Sequence, residues 1–169
     1  ASGDASQYAL ADENMKKALD VATQKDEAHY QVAKTIYSYM ISLEEGQEAY
    51  KEWSYEKALE LIRKAVQSSA QPIHIQLEGD ILFAQGNYAD AFEAYNKVNQ
   101  TSFASAATFY SASKAKQLTE GSNMNEVLAL MDSAIVKLSK PYFGEAAPYF
   151  YERAELRAQA GKFREAVMD

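Results

Sequence analysis

Asp26-Glu27-Ala28-His29 has the residue order of a helicase-type box. Such a box works only with a glycine-rich loop ending in Lys and Ser or Thr, whose backbone cradles phosphates. The chain contains no loop of that kind. Asp26 and Glu27 read instead as acids in the first turn of a helix, where the helix dipole favours negative charge. Ser111-Ala112-Ser113-Lys114 matches the Ser-x-x-Lys of serine β-lactam enzymes, but the companion Ser-Asp-Asn and Lys-Thr-Gly are missing. His29 and His74 are the only histidines, and neither has ligand-spaced neighbours. A zinc site needs three or four convergent ligands, so both read as packing or surface residues. Glu44, Glu45, Glu48, Glu52 and Glu56 can share a helical face. Desolvated in a cleft, such acids could exchange protons. Interleaved with Lys51 and Lys57, they read as a solvated face. No catalytic residue, metal ligand or cofactor site emerges, and the chain reads as non-enzymatic.

The elements that carry these residues are helical. The chain of 169 residues is 47% hydrophobic, with 7 Gly and 3 Pro. That is enough apolar material to fold, and few breakers. Cysteine is absent, which excludes disulfides, thiolate metal sites and thiol nucleophiles. The net charge is −7, concentrated early: residues 1–60 hold 12 acids and 6 bases, residues 61–169 hold 12 and 11. Neither part has the clustered Lys and Arg of a nucleic-acid surface. No stretch approaches the ~18 apolar residues that begin to suggest a membrane span. The opening Ala1-Ser2-Gly3-Asp4 and an apolar pattern still running at Asp169 lead us to expect a fragment of a longer chain. The Tyr and Gln content and absent Cys lean toward a bacterial, exported or periplasmic protein, with a cytoplasmic one as the alternative.

Breakers and apolar spacing divide the chain into about nine helices. The first spans about 5–23. The second starts near Asp26 and is capped by Gly46, and the third covers about 47–67. An alternative puts a turn at Trp53-Ser54. Pro72 opens a fourth helix, ended by Gln85-Gly86-Asn87. The fifth runs from Tyr88 to about Asn99, the sixth from about Phe103 to Leu118, and the seventh from about Met124 to Leu138. Residues 141–146 read as a connection, followed by an eighth helix to Ala160. Gly161 breaks it, and a ninth begins near Phe163.

A pattern of bulky and small residues recurs along these helices. Tyr88, Ala91, Tyr95 and Val98 show it, as do Tyr55, Ala58, Ile62 and Ala65. Tyr8, Ala11, Met15 and Ala18 match, Met124, Val127, Met131 and Ala134 match loosely, and Phe163 and Ala166 begin it again. Small residues let helices approach closely, and bulky ones fill the gap beside them. One helix pair cannot bury its own apolar face, so successive pairs must stack. Residues 72–98 resemble a tetratricopeptide repeat: Gly79 precedes Gly86 by seven, and Tyr88, Ala91 and Tyr95 follow at that family's spacings. Ile75 stands where the family often has an aromatic. Glu78 replaces its usual Leu, a contact that Leu77 could supply. Ala154, Gly161, Phe163 and Ala166 resemble the same signature. The resemblance implies an all-α fold, a right-handed α-solenoid of antiparallel helix pairs, in one domain over residues 1–169.

The resemblance also implies a function: a non-enzymatic scaffold that holds a protein or peptide in a concave groove lined by the first helix of each pair. Carrying the family's inner-face spacing over, the lining is Gln76, Asp80 and Phe83 from one pair. Tyr110, Lys114 and Gln117 come from the next, Tyr151, Glu155 and Ala158 from the last, and Tyr30, Lys34 and Tyr37 from the early pair. Some members clamp the terminal carboxylate of chaperone tails with inner-face Lys, Asn and Arg. Here Gln76 and Asp80 stand where Lys and Asn are wanted, and the alternating Lys34, Asp80, Lys114 and Glu155 cannot concentrate positive potential. Carboxylate-tail binding is therefore not expected. An alternative is a sensor module taking a peptide or glycan beside the aromatic stretch Tyr142, Phe143, Tyr149, Phe150 and Tyr151.

Overall fold

The computed structural model describes residues 5–40, 48–138 and 143–169, with side chains described for 8–40, 51–138 and 146–169. The described helices are α1 (Ala5–Val21), α2 (Lys25–Met40), α3 (Glu48–Ser68), α4 (Pro72–Ala84) and α5 (Tyr88–Asn99). They continue with α6 (Ala106–Leu118), α7 (Met124–Val136), α8 (Phe143–Gln159) and α9 (Phe163–Ala166). No strand occurs among the described residues. The chain parts into two compact units, Ala1–Gln85 and Gly86–Asp169.

In the first unit α1 lies on α2, α2 on α3 and α3 on α4, and α2 also touches α4. Ala33, Ala58, Ile62 and Ala65 are wholly buried there, together with Ile81 of α4. Met15, Leu19, Ile36, Tyr37 and Tyr55 pack around them. The expected stripe Tyr55, Ala58, Ile62 and Ala65 is thus the face that α3 turns to its neighbours. Leu77 joins this core, while Glu78 points away to pair with Arg63 at 3.3 Å. The contact missing at Glu78 is supplied one residue earlier. α3 runs unbroken through Trp53 and Ser54, which rules out a turn there. Gly46 and the segment before α3 lie outside the described residues, as do Glu44 and Glu45.

In the second unit α5 packs on α6, α6 on α7, α7 on α8 and α8 on α9. Ala91, Tyr95 and Val98 of α5 and Val127, Met131 and Ala134 of α7 are buried at 2% exposure or less. They are again the bulky and small positions of the repeated pattern. Its last instance departs: Phe163 is 68% exposed.

Two helix starts differ from the expected ones. α6 begins at Ala106, not near Phe103. Ser105 caps it, accepting from the Thr108 amide at 3.2 Å while the Thr108 hydroxyl accepts from the Ser105 amide at 2.9 Å. This reciprocal arrangement satisfies two orphan amides and fixes the start. The Phe103 amide is instead held by the Thr101 hydroxyl at 3.1 Å in the preceding turn. α8 begins at Phe143, so most of the expected connection over 141–146 is helix. Pro148 lies inside α8, where it forfeits a single backbone hydrogen bond.

α8 stops by a backbone device that needs glycine. The Lys162 amide donates to the Arg157 carbonyl at 2.8 Å and the Gly161 amide to the Ala158 carbonyl at 3.0 Å. This is a Schellman motif, and Gly161 sits at its left-handed position with φ 74°. A Cβ at Gly161 would meet nothing within 4 Å. Gly161→Ala should therefore lose about 1 kcal/mol through backbone conformation alone. Met131→Ala, by contrast, empties a fully buried site and should lose about 2–5 kcal/mol. Urea denaturation of both variants checks the order.

Candidate binding surface

The inner-face residues expected from the first helices fall on α2 and α4 in the first unit and on α6 and α8 in the second. On α2 the Tyr30 ring lies tilted against His74 of α4, with ring centres 4.9 Å apart, and is only 6% exposed. Tyr30 is therefore a core residue rather than an open groove residue. The cause is its position beside Ala33 and opposite Ala58: their small side chains leave a gap that the ring fills. Lys34 is exposed, its ammonium 5.9 Å from the Tyr30 ring centre. Tyr37 is half-buried, and burial, with the nearby Asp80 charge and Tyr55, pushes its phenol up. Burial followed by Glu27 and Asp80 does the same to Tyr30. Asp80 of α4 is thus an acid whose charge reaches both tyrosines of α2. Gln76 and Phe83 are half-buried on α4.

In the second unit the expected residues meet through one that the sequence did not single out. Glu152 of α8 accepts a hydrogen bond from the Tyr110 hydroxyl of α6. Its other oxygen lies 3.3 Å from the Lys114 ammonium. Tyr110 also meets Tyr149 edge-to-face at 5.3 Å. Burial, then the bond to Glu152, raises the Tyr110 phenol well above its ordinary value. Glu152 thus joins α6 to α8 and neutralises Lys114. Beside it on α8, Tyr151 is 66% exposed, and Glu155 one turn along raises its phenol. Glu155 is exposed; Gln117 and Ala158 are half-buried.

A second network, also missed by sequence reasoning, braces the far side of α8. Arg153 donates to Asp132 of α7 at 2.8 Å and through Nε to both Asp169 oxygens at 3.1 Å. Arg157 reaches Asp169 at 2.6 Å. The Asp169 carboxylate is 3% exposed. Asp132 and Arg153 are far apart in sequence, so no short-range spacing announces the pair. Arg153 and Arg157, four apart on one helix, were the available signal.

The residues considered for chemistry hold structural positions. Asp26 and Glu27 stand in the first turn of α2, and Glu27 accepts from Gln31 at 2.7 Å. Ser113 is buried and donates to the Val127 carbonyl at 3.1 Å, tying α6 to α7. His74 is buried in the first unit, its Nδ1 2.9 Å from the Ser69 carbonyl. Among the described residues no group of His, Asp and Glu is arranged to hold a metal ion. Nor is any described helix long and apolar enough to cross a membrane. Of the aromatic stretch, Tyr142 and the Phe143 side chain lie outside the described residues. Tyr149 packs on Tyr110, and Phe150 carries the Arg153 guanidinium at 5.0 Å. Hollows of about 520 and 480 Å³ lie elsewhere, one over Gly86–Asp90 with Leu118–Glu120 and the other along α3.

No family model matches the chain, and no curated protein does. Among solved structures it resembles residues 41 to the end of MamA from Desulfovibrio magneticus RS-1, with a TM-score of 0.61. The match covers 99% of this chain and 92% of that one at 16% identity. The fold is all-α and TPR-like. At that identity the likeness is one of fold, and function must be argued from the site.

The Tyr110–Glu152 bond makes a pH-dependent contribution to stability. The folded-state phenol is raised, so the contribution is whole below the ordinary tyrosine value near pH ~10 and is lost as pH rises beyond it. Tyr110→Phe should cost about 1–2 kcal/mol at neutral pH. It should also flatten the alkaline fall in unfolding free energy, measured by urea denaturation between neutral and strongly alkaline pH.

Proposed function

We propose that this chain is a non-enzymatic protein- or peptide-binding scaffold, working through the faces that the first helices of its pairs leave open. The observation that carries the reading is the second unit's strip. Tyr110 and Lys114 of α6 meet Glu152 of α8, and Tyr151 and Glu155 continue the surface with an exposed ring and an exposed acid. Tyrosine offers a large contact area with a polar tip, which is the chemistry of protein-binding anchors. α5 and α7 spend their repeated apolar positions on the core, so the first helices hold the surface left for a partner. In the first unit the corresponding positions are Lys34, Tyr37, Gln76, Asp80 and Phe83, with Tyr30 beneath them. The partner is a polypeptide. Nucleic acid is disfavoured by the net charge of −7, and chaperone carboxylate tails by the neutralised Lys114.

Affinity capture from lysate of the source cells, scored by quantitative mass spectrometry, tests this. A Lys114→Ala/Tyr151→Ala chain should lose a partner that the unaltered chain keeps. A Glu93→Ala/Lys97→Ala chain, altered on the exposed side of α5, should keep it. All three should have the same circular dichroism. Equal retention by all three places binding elsewhere and defeats the proposal.

A further inference from the structure

We infer that the strip formed by Tyr151 and Glu155 selects a lysine or arginine side chain of the bound polypeptide, the cation lying over the Tyr151 ring and against the Glu155 carboxylate. This rests on the binding reading above and names the chemistry of its partner.

The inference follows from which charges on this face are already matched. By sequence, Lys114 and Glu155 look like a balanced pair of opposite signs. In the structure Lys114 is 3.3 Å from Glu152, so its charge is answered within the fold. Glu152 is half-buried and also holds the Tyr110 hydroxyl, which leaves it little capacity for a ligand. Glu155 is exposed, and among the described residues no Lys or Arg forms an ion pair with it. The charge facing solvent on this strip is therefore negative, and an acidic peptide would meet an unmatched carboxylate.

The neighbouring ring adds a second, independent feature. Tyr151 is 66% exposed, and Glu155, also exposed, follows it by one turn on α8. The four-residue spacing sets a bare aromatic face beside an acid. A cation over that face gains attraction from the ring quadrupole and an ion pair at its edge. The same helix already shows the pairing: the Arg153 guanidinium lies 5.0 Å over Phe150 while it donates to Asp132 at 2.8 Å. Tyr151 and Glu155 offer an aromatic face and an acid of the same kind, with the cation left to come from outside. Arginine, planar and weakly hydrated, should be preferred to lysine.

The test uses the full chain to select from a randomised peptide library, with selected peptides resynthesised and their affinities measured by fluorescence polarisation. The inference expects Arg or Lys to be enriched in the bound pool. Replacing that residue by Gln should weaken binding about tenfold, the combined size of an exposed ion pair and a cation–π contact. Glu155→Gln and Tyr151→Ala should each reduce the difference between the two peptides, and the double variant should erase it. Both positions are exposed, so circular dichroism should be unchanged. A pool that is neutral or acidic, yet released by Lys114→Ala/Tyr151→Ala, overturns the cation preference and leaves the binding reading standing. A basic pool whose affinity is indifferent to Glu155→Gln overturns the assignment to this acid. No enriched pool at all overturns both readings.

Discussion

Close helix approach is the constraint on which the rest depends. Single helices of 12 or 13 residues, such as α4 to α7, are marginal alone and are held by packing. In both units the contacts are made where alanines lie under neighbouring bulky residues. Ala33, Ala58 and Ala65 serve the first unit, and Ala91, Ala112, Ala115 and Ala134 the second, all fully buried. Each alanine gives little apolar area itself. Its value is to bring Ile62, Met131 or Tyr95 into contact with the next helix at interior packing density. The pattern also explains Tyr30: a ring at a bulky position beside Ala33 is drawn into the core, even where the inner-face spacing points to a groove.

That constraint decides which residues are left for function. α6 is covered by α5 and α7, and turns Ala112, Ser113 and Ala115 inward. Tyr110 and Lys114 stand at its margin, half-buried, where they reach α8. On α8, Leu156 enters the core with Tyr149 packed against it, Glu152 lies at the edge, and Tyr151 and Glu155 lie outside. The surface chemistry is set by which polar groups the packing has already matched. Lys114, read from the sequence as one of the alternating charges of a groove, is an internal counter-ion in the structure.

Much of the fold was legible because its signals are local. The period of bulky and small residues marked the buried faces of α3, α5 and α7. Gly86 and Gly161 marked helix ends, and Pro72 marked a start. The misplaced starts had competing local chemistry: Ser105 with Thr108 captured the start of α6 from Phe103, and α8 tolerated Pro148. The candidate surface was legible only as a set of positions. Its electrostatics depend on Lys114 meeting Glu152, and its bracing on Arg153 meeting Asp132. These pairs join different helices, and no spacing along the chain records them. Glu78 is the converse case, a departure in the sequence that the structure explains by Leu77 in the core and Arg63 outside.

The bracing of α8 bears on how a surface of few contacts could bind at all. Ordering a mobile side chain or segment on binding subtracts from affinity, so a preorganised platform gains by having that ordering done in advance. α8 is fixed on one side by Tyr110, Lys114 and Tyr149, and on another by Arg153 and Arg157 with Asp132 and Asp169. Arg153 and Arg157 are largely buried at their heads, with side-chain exposures of 14% and 19%. Ion pairs so placed contribute little net stability, but breaking one leaves an uncompensated charge, which favours a single geometry. Tyr151 and Glu155 therefore ride on a helix held from two directions. On a loose helix an exposed ring and acid would carry the cost of ordering the helix as well as themselves; on this one the helix is ordered already.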